Sequence, residues 1–213
     1  LIIDLRYNGG GLLSVADLFL DLLGGQIAHG QRSFYLMHNE QRSYLDDDNQ
    51  AFFRHLIESF EPNRIAFITS GSTASASELI INSLAPHIEV VLIGSDTAGK
   101  SVGQYAFEQE GCDKLLRLVS FEVVNGEGEG RYYSGLADTG RFTICTARDD
   151  LWRPFTDLEE ESIATALQWL NQGICPTNSS SKNVAFERSQ TRGLPIWFLD
   201  VPSFHGLKDR MRR

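Results

Sequence analysis

Along the first hundred residues, short unbroken apolar runs alternate with longer stretches in which apolar residues recur at helical spacing. Leu1 to Leu5 is such a run, rich in β-branched residues, and predicts a strand buried on both faces. Asn8-Gly9-Gly10-Gly11 breaks it. Leu12 to Leu23 then sets Leu13, Ala16, Leu20 and Leu23 near helical spacing, and Gly24-Gly25 predicts the end of that helix. Ser33 to Met37 reads as another strand. Asn49 to Phe60 reads as a helix with Phe52, Phe53, Leu56 and Ile57 on one side and Pro62 beyond its end. Ile65 to Ile68 predicts a second buried strand, and a helix follows from about Ser75 to Leu84, where Pro86 stops it. Val90 to Gly94 predicts a third buried strand. The order β-α-β-α-β-α-β is that of an α/β domain with parallel strands.

Beyond Lys100 the texture changes. Gln104 to Phe107, Leu115 to Val124 and Gly130 to Tyr133 predict antiparallel strands, the last two joined at Asn125-Gly126-Glu127-Gly128. Thr156 is placed to cap a helix over Asp157 to Leu170, with Glu159, Glu160 and Glu161 in its first turn, where the helix dipole favours negative charge. Ile163, Leu167 and Leu170 give that helix an apolar stripe. Pro176 to Asn183 reads as a polar linker, followed by an aromatic-spotted stretch that ends in Lys208, Arg210, Arg212 and Arg213. The expected division is a core over residues 1–175 and a C-terminal extension over 176–213. No internal repeat is present.

With 213 residues and 42% apolar content, the chain can bury one sizeable core. A formal net charge of −9 argues against nucleic acid or an anionic membrane surface as the main partner. No run approaches the roughly 18 apolar residues that a membrane helix requires. The opening Leu1-Ile2-Ile3-Asp4 lies inside a strand and lacks methionine, which reads as a fragment whose upstream part, with any signal peptide, is not in view. Cys112, Cys145 and Cys175 form no CxxC pair and no His-rich spacing accompanies them, so a zinc site is not expected. They read either as buried or free thiols or as an oxidised pair in an exported protein.

The candidate chemistry centres on GSTASASE, Gly71 to Glu78, straight after the Ile65–Ile68 run. A serine on a tight strand-to-helix turn exposes its hydroxyl beside outward-pointing backbone N–H groups, which can hold a developing oxyanion. The plainer reading is a helix N-cap, and Ser77 and Glu78 do not exceed what capping explains. A serine hydroxyl needs a base. None of His29, His38, His55, His87 and His205 lies in a hydroxyl- or Gly-rich loop beside an acid, and no GxSxG elbow occurs. The other base known for such serines is a lysine freed of its proton by burial. Lys100 suits that role best, on the Gly-flanked loop leaving the third buried strand; an ordinary exposed loop lysine is the alternative. Parallel neighbouring strands would bring the Ser75 and Lys100 loops to one carboxyl edge of the sheet, with Asn8-Gly9-Gly10-Gly11 beside them. That glycine run matches no phosphate-loop pattern, and Gly126 to Gly130 reads as a hairpin turn. Asp46-Asp47-Asp48 and Asp149-Asp150 read as solvated loops rather than calcium ligands.

Taken together, LIIDLRYNGGG, GSTASASE and GSDTAGKSVGQ, in this order and spacing, resemble the S41 family of carboxyl-terminal processing (tail-specific) proteases. The resemblance covers about residues 1–135. It implies an α/β, ClpP/crotonase-like core with parallel strands, added antiparallel hairpins and a C-terminal helix. Ser75 is the implied nucleophile, Lys100 the general base and Gln104 the residue that positions it. The backbones of Gly10, Gly11 and Ala76 are the implied oxyanion hole, and Glu78 and Thr97 support the site. The implied activity is a serine endopeptidase cutting protein substrates near their C-termini, with no metal or cofactor. Ser101 stands where the family usually has Gly, and Pro86 where some members carry Asp. The family's PDZ domain normally precedes the DLR segment, outside this chain. Arg131-Tyr132-Tyr133-Ser134-Gly135-Leu136 and Asp149-Asp150 look most like a bacterial lipoprotein subgroup. That match implies export to the periplasm or cell envelope, with membrane contact only through an upstream signal or lipid anchor. A catalytically inactive peptide-binding module with the same fold is the alternative. A crotonase-like acyl-CoA enzyme would share the fold but leaves the serine–lysine pairing unexplained.

Overall fold

The computed structural model describes residues 1–108, 111 and 113–176. Cys112 and the expected linker and extension after Pro176 lie outside the described residues. Four parallel strands form one sheet in the order β1-β4-β5-β8: Ile2–Asp4, Arg64–Thr69, Glu89–Gly94 and Ile144–Thr146. Both faces of this sheet are covered, which is why its strands are near-continuous apolar runs. Ile65, Phe67 and Leu92 point to one side, into the main core, while Ala66, Ile68, Val91 and Ile93 point to the other. The second side is closed by helix α3, Glu161–Gln172, through Ala166 and Trp169. Each Leu or Ile fully buried in this way contributes about 1.5–3 kcal/mol.

The main core lies between the parallel sheet and a second, antiparallel sheet in the order β3-β2-β7-β6, which comprises Gln50–Phe52, Arg32–Met37, Leu115–Asn125 and Val102–Glu108. Helices α1, Leu13–Gly24, and α2, Ala76–Leu84, contribute to that core. Every residue of α2 is buried, because the helix is enclosed on all sides rather than lying on a surface. This placement sends the helix's N-terminus straight to the exits of β1 and β5.

Four sequence expectations change. Ser33 to Met37 is a strand, but it pairs antiparallel with β7 and β3 instead of joining the parallel sheet. The expected helix over Asn49 to Phe60 is absent. Gln50–Phe52 pairs with β2, and the Arg54 backbone and side chain are held by Asp21 at 2.7 and 2.8 Å, wrapping the segment around α1. Phe53 is buried while Ile57 is 93% exposed, so its apolar residues never shared one helical face. Gly130 to Tyr133 is no strand: Asn125 closes the hairpin turn by accepting from the Glu127 and Glu129 N–H groups, and Arg131 at φ 59° then turns the chain inward and buries Tyr132. Helix α3 starts four residues later than expected, with Glu160 rather than Thr156 as its N-cap. Strand β8, with only three residues, carries too short a pattern to stand out. Its Cys145 forms a disulfide with Cys175, which resolves the cysteine alternatives for that pair.

Candidate active site

The serine turn is built by the hydroxyls around it. Ser70 donates to the Arg6 carbonyl, Thr73 to the Leu5 carbonyl at 2.7 Å, and Ser77 to the Asn8 carbonyl at 3.1 Å. The Ala74 N–H also donates to Asn8 O, at 3.1 Å. These bonds stitch the exit of β4 to the exit of β1. Ser75 takes no part in that stitching. It stands at φ 58°, ψ −117°, as N-cap of α2 in a capping box with Glu78, and among the described residues its hydroxyl makes no hydrogen bond to another element. A non-glycine residue held in this sparsely populated region persists only where its surroundings over-determine it, a condition that concentrates at functional sites.

Gly10 presses against this turn. Its φ is 100°, and a Cβ there would lie 2.7 Å from the Ala74 carbonyl oxygen, 2.7 Å from Ser75 Cβ and 2.9 Å from the Ala76 nitrogen. Only glycine fits. The Gly10 N–H donates to Asn8 Oδ1 at 2.9 Å, which fixes the loop's curl. Gly11, by contrast, has open space around it. The Ala76 N–H is the first of helix α2, one of the donors that the helix itself cannot satisfy. Its nitrogen lies beside the Gly10 backbone, at the positive end of the helix.

The third loop is joined through one carboxylate. Glu78 is fully buried. Its Oε2 accepts from the N–H groups of Ser75 and Lys100, both at 2.8 Å, and its Oε1 accepts from Gly99 N–H at 2.7 Å. The sequence signals only the capping box with Ser75; the grip on Gly99 and Lys100 arises because β5 lies beside β4. The Ala98 N–H adds a bond to Thr73 O at 2.9 Å. Thr97 is buried and its hydroxyl oxygen accepts from Leu136 N–H at 3.0 Å, holding the loop against residues 132–136. Gly99, at φ 84°, has Tyr133 O only 2.5 Å from where a Cβ would be. Tyr132 is buried beneath; burial first, then the charges of Glu78 and Glu122, push its phenol far above the usual range, so it stays neutral.

Ser75, Lys100, Gly10, Ala76, Glu78 and Thr97 are thus brought to one edge of the parallel sheet. The Lys100 side chain, however, is exposed rather than buried, because its loop is anchored by backbone and leaves the side chain outward. Gln104, on β6 at a register irregularity opposite β7, is also exposed and makes no hydrogen bond to Lys100. Sequence reasoning missed Arg6, which is 2% exposed. Its guanidinium meets Asp4 at 2.9 Å, Asp149 at 3.0 Å and Glu160 at 2.9 Å, linking the exit of β1 to the start of α3.

The family model for peptidase family S41 matches residues 1–135. The chain belongs to peptidase family S41. Among solved structures, it is similar to a candidate S41 protease from Bacteroides fragilis NCTC 9343, with 26% identity and a TM-score of 0.68 over 81% of this chain and 45% of that one. The photosystem II D1 C-terminal processing protease shares the fold at 17% identity and TM-score 0.54, over 78% of this chain and 38% of that one. A lipoprotein from Streptococcus agalactiae shares it at 18% identity and TM-score 0.52, over 81% and 54%. The chain therefore spans about half the length of these proteins or less. No curated protein matches the sequence.

Proposed function

We propose that the intact protein is a serine endopeptidase working by a Ser75–Lys100 dyad and cutting protein substrates near their C-termini. The observation that carries this reading is that one buried carboxylate, Glu78, holds the backbones of Ser75, Gly99 and Lys100 together. In the proposed reaction the Lys100 amine takes the Ser75 proton as Oγ bonds the scissile carbonyl carbon. The carbonyl oxygen becomes an oxyanion held by the Ala76 N–H and the Gly10–Gly11 backbone. As the C–N bond breaks, Lys100 returns the proton to the leaving amine; water then attacks the acyl-Ser75 ester and regenerates both groups. The bound peptide covers the exposed Lys100 and removes water from it, and Gln104 orients it once covered. The Cys145–Cys175 disulfide supports an exported location.

The exposure of Lys100 and its lack of contact with Gln104 favour a second reading, a peptide-binding module that does not cut. One experiment separates the two: cleavage of casein by the intact protein beside its Ser75→Ala and Lys100→Ala variants. The protease reading expects turnover to fall by about 10⁴-fold or more in both folded variants. Turnover retained in Ser75→Ala overturns the assignment of the nucleophile, and no cleavage by the parent, with peptide still bound, selects the binding module.

A further inference from the structure

Beside the serine turn stands an aromatic ledge that the proposed reaction leaves unused. Tyr7 and Phe155 are each 53% exposed, with ring centroids 6.3 Å apart and planes tilted by 54°. Both are held in place. The Tyr7 hydroxyl donates to Asp149 Oδ2 at 2.6 Å, Asp149 Oδ1 accepts from the buried Arg6 at 3.0 Å, and the Arg6 guanidinium carbon lies 5.0 Å from the centre of the Phe155 ring. Rings this large kept in solvent at fixed positions are suited to binding, since they offer apolar area with little entropy left to lose. Leu151 and Trp152, at 71% and 96% exposure, extend the apolar character of the Phe155 segment.

The ledge adjoins the candidate site along the chain. Tyr7 is bonded directly to Asn8, whose carbonyl accepts from Ala74 N–H and the Ser77 hydroxyl, on either side of Ser75. An extended peptide rises about 3.3 Å per residue. A chain lying over Ser75 therefore reaches Tyr7 within about four residues of the bond under attack.

We propose that Tyr7 and Phe155 form a subsite for one apolar side chain of the extended peptide that lies across Ser75. The inference rests on Ser75 marking where that peptide lies. The Asp149 carboxylate beside Tyr7 is the selective element against acidic side chains at the same position.

The test reads binding and cleavage separately in the intact protein. Labelled peptides carry a single leucine moved stepwise along a Gly-Ser-Ala chain, and their binding to the Ser75→Ala variant is followed by fluorescence anisotropy. Leucine at one register position is expected to tighten binding about tenfold over serine there. Tyr7→Ala and Phe155→Ala, each in the Ser75→Ala background and each checked for native circular dichroism, are expected to erase that preference, while Tyr7→Phe keeps most of it. In the cleaving protein, mass spectrometry of casein fragments is expected to show an apolar residue at the same position, lost in Tyr7→Ala. Equal binding of all the leucine peptides overturns the subsite, as does a preference unchanged in both alanine variants. A parent that shows the preference but cuts nothing upholds the subsite and overturns the protease reading. A parent that cuts with its preference untouched by either variant does the reverse.

Discussion

Glu78 is the residue on which three loops converge, and its chemistry makes it hard to replace. A buried carboxylate offers acceptors only, and here both oxygens face backbone N–H donors from Ser75, Gly99 and Lys100. Glutamine has the same shape but turns an NH₂ towards at least one of those donors. Glu78→Gln is expected to lower unfolding free energy by about 2–3 kcal/mol, read by urea denaturation, and to reduce casein cleavage beyond that loss because Ser75 and Lys100 lose their common anchor. At this scale much was legible in the sequence. The hydroxyl-rich turn, the Gly-flanked lysine and the glycine loop were visible in the residues, the resemblance to the S41 family singled out Ser75, and Glu78 was visible as a cap. What Glu78 grips beyond Ser75 was not, since Gly99 and Lys100 are 21 and 22 residues away along the chain.

Among the elements, α3 shows how local signals lose to distant ones. Thr156 is a good cap by type, yet the N-cap is Glu160, whose carboxylate accepts both Ile163 N–H and Arg6 Nη1 at 2.9 Å. The ion pair with Arg6, in the turn after β1 and 154 residues away, favours this start. Burial pushes the Glu160 carboxyl upward, but the Ile163 N–H and Arg6 outweigh it and hold the group below the usual carboxylate range. The folded state therefore binds this proton less readily than the unfolded state. Its stabilisation is complete at neutral pH and disappears as pH falls through and below the ordinary carboxylate range. Glu160→Gln is expected to cost about 2–4 kcal/mol at pH 7, with the gap to the parent narrowing as the medium is acidified, measured by urea unfolding at a series of pH values.

The other end of α3 is held by Cys145–Cys175, which closes a loop of sequence separation 30. Reduction is expected to lower stability by about 3–4 kcal/mol, seen as a fall in Tm with a thiol reductant that a Cys145→Ala/Cys175→Ala variant does not show.

For the molecule as a whole, the site is an edge shared by three loops with Lys100 still open to solvent. On the proposed dyad reading, burial of that amine would come with the bound peptide. Bound peptide is accordingly expected to protect Lys100 from acetylation by acetic anhydride, measured by mass spectrometry against Lys114 as an exposed internal reference. Equal labelling with and without peptide would show that the substrate lies elsewhere.

The sequence by itself determined three of the four parallel strands, the two helices that follow β1 and β4, and the loops that carry Gly10, Ser75 and Lys100. Each is written in contiguous residues: unbroken apolar runs demand burial on both faces, and glycines or a hydroxyl-rich turn mark where they end. Only the tertiary structure decided that Ser33 to Met37 pairs antiparallel, that residues 49–60 wrap α1 instead of forming a helix, and that Arg6, Asp149 and Glu160 meet. Those outcomes depend on partners 15 to more than 150 residues apart, such as Tyr35 with Gln50, Arg54 with Asp21 and Arg6 with Glu160, and the free energy of such pairs outweighs the weak preference of a short segment for its local form.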